Sequence, residues 1–499
     1  PYQDQAYSRG WSTLRENLFG YLQAEFTVAD VDFNTSIYYH DNEGRGDWVP
    51  PYLVNVTDDG ESNPHSELVS GNTVIGGAFL GQIFFVDPNG VQLAPEDGCQ
   101  SSITFPYGGA GAEYDPSCHA DNAVPVGSYR HTHYQKERFG INGDFTWSTM
   151  IGEFDNTLRG GFWYEDYERS EYRDWHKIID SATSYRFDHT PYWIQYDRTL
   201  PVDTLMYYIE DEIDMGFAKF RLGAKKFNVD VKKDDNFVSA NNLSVDSDSG
   251  TLLSAGFVAP LPVDGLEVFG GYAENFAAIK DAVLERDDAD ISLVVPEEAE
   301  NIDVGLRYSS PGFNASLTYY TIEFDNRITF VSNEDVDGID FLESAAGGYI
   351  NDGGVESSGI EASLDYQIND NWGLYVSYTN NDSEYTDKAI AGKTVIGTAE
   401  EMAVLSFDYI KGNYAAGFST KYVGERWLDQ ANTQQVDSYI VSDLYIGTSV
   451  SDMGAGVDTL DIRLTVNNLF DESYAGTVAP GAFWIGAPRT AAINATLTF

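Results

Sequence analysis

Apolar and polar residues alternate along several stretches of this chain. In the range 360–368 every even position is apolar and every odd position is polar, and the range 313–319 alternates in the same way with the odd positions apolar. The chain also ends in this pattern, with apolar residues at 493, 495, 497 and 499. A period of two predicts an extended strand with one apolar and one polar face. In a soluble sandwich the apolar face would pack on a second sheet, whereas in a membrane barrel it meets lipid and the polar face meets the lumen.

The connections between these strands favour the barrel, because short and long ones take turns along the chain. The tight turns lie near 29–30, 151–152, 214–216, 260–265, 311–312, 369–371, 411–413 and 452–456. The long polar segments lie near 42–128, 176–191, 233–249, 280–298, 331–347, 387–398, 429–436 and 471–483. Outer-membrane barrels have short periplasmic turns and long external loops, and a sandwich has no reason to keep this asymmetry.

Strand length and number extend this fold prediction. The range 153–175 has the pattern of one continuous strand. That is longer than the ~9–11 residues that cross a membrane, so we expect strands that project beyond the bilayer. We predict about seventeen antiparallel strands. Barrels of one chain have an even number, and about five further strands would make the 22 of the outer-membrane transporters. Residues 1–499 are therefore expected to be the C-terminal part of an all-β transmembrane barrel.

Composition and charge agree with a barrel and exclude some functions. Aromatic residues make up 14% of the 499 residues, and the mean hydropathy is −0.32. No apolar stretch approaches the ~20 residues of a membrane helix, but a barrel strand shows the lipid only every second side chain. The net charge of −50 argues against nucleic acid as a partner, because binding it needs a basic surface. The acidic residues indicate either a solvated, self-repelling surface or carboxylates that attract cations.

Four segments after residue 265 carry a family resemblance. They are the ranges 296–305 (PEEAENIDVG), 359–362 (GIEA), 464–474 (LTVNNLFDESY) and 488–499. In this order they resemble the barrel of TonB-dependent receptors, and 464–474 is similar to the signature of their penultimate strand. The terminal Phe499 is similar to the aromatic residue that the barrel-assembly machinery recognises in many outer-membrane barrels, which implies an assembly signal.

The resemblance implies a receptor in the outer membrane of a Gram-negative bacterium, in contact with lipid and lipopolysaccharide. Members of the family carry an N-terminal plug domain inside the barrel, preceded by a short segment that binds the TonB complex. Nothing before Arg15 can encode that plug, so we expect both parts to lie outside this chain. The first residues also lack a charged region followed by an apolar one, so we expect an export signal that was removed or a chain that begins inside a longer protein.

The range 163–176 (WYEDYERSEYRDWH) is the densest aromatic and charged segment. It suits an aromatic girdle below a solvated strand top. It also suits a ligand-facing rim, in which rings stack and arginine binds carboxylate or catecholate oxygens. The candidate ligand-binding residues of the extracellular rim are Trp163, Tyr164, Tyr167, Arg173, Trp175, Trp193 and Arg327. Because side chains of a strand alternate between its faces, Tyr164 and Arg173 cannot point the same way.

Cysteine, histidine and aspartate residues suggest further chemistry in the loops. Cys99 and Cys118 lie in one polar, Gly-rich stretch, which predicts a loop disulfide in an oxidising compartment. His119, His131 and His133 surround the largest loop and suit either solvated residues or a metal site. The acidic loop residues that suit Ca²⁺ binding or solvation are Asp246, Asp248, Asp287, Asp288 and Asp290. We find no arrangement of nucleophile and base and no phosphate-binding loop, so we expect neither an enzyme nor a cofactor.

Three functions of different classes follow from these observations. The resemblance implies a receptor that imports a scarce nutrient with energy from TonB, either a ferric siderophore or similar iron chelate or an oligosaccharide. A passive porin-like channel would prefer cations because the chain is acidic. A surface-binding barrel without transport is the third function. A plug in the full-length gene would favour the receptor, and ion conductance in planar bilayers would favour the channel.

Overall fold

The computed structural model describes residues 12–48, 74–75, 84–87, 92–100, 104–105, 109–110, 112, 115–126, 128–177, 191, 193–285, 291, 294–332, 347–351, 353–454, 456–479 and 482–499. Nineteen of its strands share one sheet. Two of these are short pieces, Val74–Ile75 and Leu243–Asp246. The other seventeen form the wall of the sheet in chain order, and we number them β1 to β17.

The seventeen wall strands are long and antiparallel. They are β1 Ser12–Val28, β2 Val31–Trp48, β3 Ser128–Ile151, β4 Phe154–Lys177, β5 Trp193–Asp214, β6 Lys219–Asp235, β7 Leu252–Pro260, β8 Leu266–Ala277, β9 Glu297–Ser310, β10 Phe313–Asp325, β11 Gly354–Asn369, β12 Trp372–Tyr385, β13 Glu401–Lys411, β14 Tyr414–Val423, β15 Tyr439–Gly454, β16 Val457–Asn467 and β17 Thr490–Thr498. Each of β2 to β16 pairs with the strand before it and the strand after it. The predicted all-β antiparallel fold and the number of about seventeen strands are confirmed.

The sheet has two edges among the described residues. β1 pairs only with β2, β17 pairs only with β16, and no pairing joins β1 to β17 there. The total of 22 strands therefore stays a prediction.

Tight turns lie at one end of the wall and long connections at the other, as the alternation of connection lengths predicts. The turn between β1 and β2 consists of Ala29 and Asp30, both with positive φ (49° and 67°), and Val28 pairs with Val31 across it. Such left-handed pairs form the two-residue hairpin whose twist matches that of the strands. The next turn, between β3 and β4, uses Gly152 at φ 67°. We call the turn end periplasmic and the opposite end extracellular, as in outer-membrane barrels.

The two faces of the wall differ in chemistry. Leu205, Tyr207 and Ile209 of β5 share one face, and their exposed fractions are 41%, 47% and 52%. This apolar outer face runs from strand to strand, because directly paired residues lie on the same side of a sheet. The opposite face is polar. Ser316 of β10 and Ser363 of β11 are paired there, and their hydroxyl groups form a hydrogen bond of 2.7 Å. A contiguous exposed apolar face with polar residues behind it is typical of a barrel wall in lipid.

Short elements extend the wall at its extracellular end. Paired strand segments are Phe84–Val86 with Gln92–Leu93 and Val124–Val126, Thr104–Phe105 with Gly109–Ala110, Ile328–Ser332 with Gly347–Asn351, Arg426–Trp427 with Gln435–Val436, and Ala475–Ala479 with Ala482–Ile485. Single 3-10 turns are Pro116–Cys118, Ser239–Asn241 and Asp281–Leu284. The part of the chain that the structure describes contains no helix long and apolar enough to cross a membrane.

The apolar core lies inside the wall near its extracellular end. The connection between β8 and β9 folds inward and places Ile279, Val283 and Leu284 against Leu200 of β5 and Val231 of β6. Three of these five side chains have no exposed surface, and burial of one such side chain contributes ~1.5–3 kcal/mol relative to leaving it in water. The loop is therefore part of the folded barrel.

Candidate ligand site at the mouth of the lumen

The polar face of β4 is formed by its odd-numbered residues, which point into the lumen together with the residues paired to them. Trp163 pairs with Asn142 of β3 and Met206 of β5, and Gly161 pairs with Asp144 and Tyr208. Phe162, one residue along, lies on the outer face and is 42% exposed. The lumen-facing side chains of β4 from bottom to top are Trp163, Glu165, Tyr167, Arg169, Glu171, Arg173 and Trp175.

The lower part of this surface is an aromatic hydrogen-bonded chain. The Trp163 indole N–H donates to the Tyr38 hydroxyl oxygen at 2.9 Å, and the Tyr38 hydroxyl donates to Glu165 Oε2 at 2.6 Å. Above it the Arg138 guanidinium lies over the Tyr167 ring, 4.6 Å from its centroid. Such contacts fix the ring planes and leave them partly exposed to the lumen. The surface combines flat rings with a cation, which suits stacking and the binding of oxygen-rich anions.

The upper part is a buried network of two arginines and three carboxylates. Arg198 Nη2 lies 2.6 Å from Glu171 Oε1 and 3.4 Å from Glu285 Oε2. Arg169 Nε lies 3.0 Å from Asp281 Oδ2, and Arg169 Nη1 lies 3.2 Å from Glu171 Oε2. Burial raises the pKa of Glu285, and the neighbouring arginines oppose that shift. Because Asp281 and Glu285 belong to the inward-folded connection, this network fixes the loop to the wall.

Two of the predicted rim tryptophans are enclosed. Trp175 and Trp193 stack on each other with ring centroids 5.3 Å apart, and neither has exposed surface. Next to them the Tyr196 ring lies between two guanidinium groups, those of Arg173 at 4.8 Å and Arg198 at 4.1 Å. Trp175 and Trp193 therefore support the rim, whereas Trp163, lower on the wall, is half-buried and presents part of its ring to the lumen.

The predicted rim residues do not all come together. Tyr164 pairs with Ile141 and Leu205 on the outer face, one residue from Trp163 and on the opposite side of the wall. Arg327 follows β10, forms an ion pair with the buried Asp387 and lies 5.1 Å from the centroid of the Tyr385 ring. Because β4 and β10 are separated by five strands in the sheet, Arg327 belongs to another sector of the mouth.

Residues that reasoning from sequence missed complete the site. Tyr38, Arg138, Arg198, Asp281 and Glu285 were not candidates, because they lie on other strands or in a loop distant in sequence. Arg198 is the one that a sequence pattern could have indicated. It lies directly opposite Glu171 on the neighbouring strand, and side chains at such paired positions share one face of the sheet. Nothing in the sequence places Asp281 or Glu285 inside the lumen.

The candidate loop residues have separate environments. Cys99 and Cys118 form a disulfide with a Cα–Cα distance of 5.7 Å. The His119 ring stacks on the Phe85 ring, and His119 Nδ1 lies 3.0 Å from the backbone carbonyl oxygen of Asp115. Asp248 accepts from the Asn228 amide and the Val229 backbone N–H, at 2.8 and 2.9 Å. Asp287, Asp288 and Asp290 lie outside the described residues.

Potential metal ligands converge at one place among the residues that the structure describes. His131, Asp174 and His176 offer ligand atoms that all lie within 4.8 Å of one another. Asp246 and Asp248 belong to no such group within the described ranges. The terminal Phe499 is 79% exposed at the end of β17.

Comparison with known proteins identifies the family. A profile described as TonB dependent receptor-like, beta-barrel, matches residues 3–469. The chain belongs to this TonB-dependent receptor family. It is a family of transport receptors, and the prediction that the chain is not an enzyme is confirmed.

Individual relatives of this TonB-dependent receptor chain are distant. The ferrioxamine receptor of Yersinia enterocolitica is 25% identical over 372 residues, which cover 73% of this chain and 47% of that receptor. The ferrichrome outer membrane transporter/phage receptor of Escherichia coli K12 is 28% identical over 247 residues, which cover 47% of this chain and 30% of that protein. The match thus spans less than half the length of these curated relatives.

Solved structures share the fold. The unliganded ferric citrate transporter FecA superposes with a TM-score of 0.63 at 15% identity, over 98% of this chain and 71% of that one. The siderophore receptor PiuA from Acinetobacter baumannii gives a TM-score of 0.59 at 14% identity, over 98% and 78% of the two chains. At these identities the likeness shows the barrel fold alone.

Proposed function

We propose that the complete protein is an outer-membrane receptor that binds a ferric siderophore or similar iron chelate at the mouth of the lumen and imports it with energy from the TonB complex. Two observations together support this proposal. Trp163, Tyr167 and Arg138 form an aromatic and cationic surface in the lumen, and the relatives of the chain are named as ferrioxamine and ferrichrome receptors. Rings and a guanidinium suit the oxygen-rich shell of an iron chelate.

The relatives favour an iron chelate over an oligosaccharide, which the sequence left open. The match covers less than half of those receptors, so the plug and the TonB-binding segment, both expected outside this chain, are part of the proposal. Further proposed partners are outer-membrane lipid, lipopolysaccharide and the barrel-assembly machinery that would read Phe499. The proposed location is the outer membrane of a Gram-negative bacterium.

Uptake of radioiron by a deletion strain tests this function. The strain carries the full-length gene and receives iron-loaded ferrioxamine B or ferrichrome, with and without an intact TonB system. We expect accumulation of at least one chelate, and we expect that loss of TonB abolishes it. Uptake that continues without TonB, or growth restored only on glycans, would contradict the proposal. Stable ion conductance of the purified protein would favour the passive channel.

A matched pair of variants tests the site. Trp163→Ala removes a ring from the lumen surface and should weaken chelate binding to cells about tenfold, which corresponds to ~1.4 kcal/mol. Tyr164→Ala removes a ring from the outer face one residue away and should leave the affinity unchanged. Equal effects of both substitutions would show that the ligand does not contact this part of the wall.

A further inference from the structure

The second cluster of functional side chains lies on the outer face of the wall, near the extracellular ends of β3 and β4. His131 of β3 is directly opposite Asp174 of β4, and His176 follows two residues along the same face. By strand parity this is the side of Phe162 and Phe139, opposite to the lumen mouth. β4 extends far beyond the ~9–11 residues of a membrane span, so its upper end stands outside the bilayer.

Three imidazoles surround one carboxylate at this place. His131 Nδ1 and His133 Nε2 lie 3.5 and 3.2 Å from Asp174 Oδ1, and His176 Nε2 lies 3.1 Å from Asp174 Oδ2. The side chains of His131, His176 and Asp174 are only 3%, 5% and 13% exposed. Solvated loop histidines would be neither enclosed nor convergent, so the cluster is a built arrangement.

The spacing of the ligand atoms fits a tetrahedral metal centre. Bonds of ~2.0–2.1 Å from Zn²⁺ to nitrogen or oxygen hold neighbouring ligand atoms roughly 3.3 Å apart. The candidate ligand atoms of His131, Asp174 and His176 all lie within 4.8 Å of one another, so small rotations of the side chains bring them to that distance. We propose that His131, Asp174 and His176 bind a divalent metal ion of the zinc class, with His133 or water as the fourth ligand.

The surrounding charges permit a cation. The positive group on β2 that acts on His131 is Arg45. Its Nε lies 2.5 Å from Asp47 Oδ1, and its Nη2 lies 2.9 Å from Asp47 Oδ2. Asp47 thus neutralises Arg45 and also accepts a hydrogen bond from the Tyr129 hydroxyl at 3.1 Å. Together the side chains of Arg45, Asp47 and Asp174 carry one negative charge, so these three groups favour the binding of a cation.

The ligand atoms indicate which class of ion would bind, and the strands that supply them indicate what the ion would do. Two or three imidazole nitrogens and one carboxylate suit Zn²⁺ and its neighbours in the transition series, whereas Ca²⁺ and Mg²⁺ take oxygen ligands. Because the ligands come from both β3 and β4, the ion would cross-link the projecting ends of these strands. The site lies on the opposite face from the proposed path of the iron chelate, and it does not depend on the proposed uptake function.

Titration of the purified full-length protein in detergent, after treatment with a chelator, tests the proposal. Co²⁺ serves as the spectroscopic substitute for Zn²⁺, and we expect one equivalent to bind saturably with the visible absorption of a tetrahedral centre. Asp174→Asn and His176→Gln should each weaken the binding by at least about tenfold, since loss of even an outer partner of a ligand costs ~10–100-fold. Excess Zn²⁺ should displace the Co²⁺.

The matched control is His40→Gln, which removes a histidine from the lumen face of β2 and should leave metal binding unchanged. Heat-modifiable migration in gels checks that each variant is folded before titration. Absence of saturable binding to the wild-type protein would overturn the proposal. Equal affinity in all four proteins, or loss of binding in the His40 variant, would overturn it as well, because the ion would then lie elsewhere.

Discussion

Leu364 lies on the outer face of β11, opposite Ala315 and Val376, and its neighbour Ser363 faces the lumen. We expect Leu364→Arg to destabilise the barrel by roughly 2–4 kcal/mol, because a charge near the middle of the bilayer loses its hydration. Ser363→Arg should cost much less, since a charge in the lumen stays hydrated or meets Glu361 and Asp365. Unfolding in lipid vesicles with increasing urea measures both effects.

Chemical labelling separates lipid from a packed protein surface, which the stability measurement alone does not. Single cysteines at the even positions of 360–368 should react with a lipid-soluble reagent and resist a water-soluble one in membrane-embedded protein. Cysteines at the odd positions should show the reverse wherever the lumen is hydrated. Water-soluble labelling at the even positions would overturn the barrel and the transport function proposed for it.

Cys99 and Cys118 are expected to be oxidised in the native protein, as their position in the structure requires. The bond closes a loop of about 18 intervening residues, for which the chain-entropy model gives roughly 3 kcal/mol at most. A thiol reagent added to the denatured, unreduced protein should therefore label no cysteine. Two labelled thiols would show that the bond does not form.

Arg198 joins the inward-folded connection between β8 and β9 to the wall through its ion pairs with Glu171 and Glu285. Arg198→Ala leaves Glu171 and Glu285 buried without that partner, and breaking a buried ion pair typically costs ~3–5 kcal/mol. We expect the loss to appear as local opening of the connection, with faster hydrogen exchange at Val283 and Leu284. The membrane-spanning strands should keep their protection.

The control for this prediction is Arg221→Ala. Arg221 pairs with Glu212, but its side chain is 54% exposed, so the ion pair is worth only ~0–1 kcal/mol. Exchange in the connection between β8 and β9 should not change in this variant. Unchanged exchange in Arg198→Ala as well would mean that the apolar contacts of Ile279 and Leu284 hold the connection without the ion pairs.

The strands and turns could be predicted from the sequence because their determinants are local. Alternation over 360–368 defines the two faces of β11, and the residues of each tight turn lie within a few positions of one another. The predicted continuous strand at 153–175 is β4, Phe154–Lys177, displaced by one or two residues. The long segment predicted at 42–128 begins later, because β2 continues through polar residues to Trp48.

The candidate site could be predicted only in part because its contacts connect distant positions. The alternation of side chains along a strand places Trp163 and Tyr164 on opposite faces. It does not show which of the two faces is the lumen unless the neighbouring strands are known. The contacts of Arg169 with Asp281 and of Tyr38 with Trp163 span more than a hundred residues each. Reasoning from sequence grouped His119, His131 and His133 as possible metal ligands. It did not include Asp174 and His176, which β4 places next to His131.

The wall of the barrel separates three environments. The outer face is apolar where lipid is expected, the inner face carries the ionic and aromatic mouth, and the projecting outer ends of β3 and β4 carry the histidine cluster. A charged side chain on the lipid face costs ~2–4 kcal/mol at the middle of the bilayer, so we expect most of the net charge of −50 in the lumen, the turns and the loops. This arrangement requires a defined orientation across the membrane.

The connection between β2 and β3 should therefore be outside the cell. Protease added to intact cells is expected to cut within 49–127, because the long connections lie at the end that projects furthest from the bilayer. A protease site inserted at the turn of Gly152, between β3 and β4, provides the matched control at the opposite end. It should be cut only after the outer membrane is permeabilised. Cleavage at the turn in intact cells, with protection of the long connection, would reverse the topology and place the mouth of the lumen on the periplasmic side.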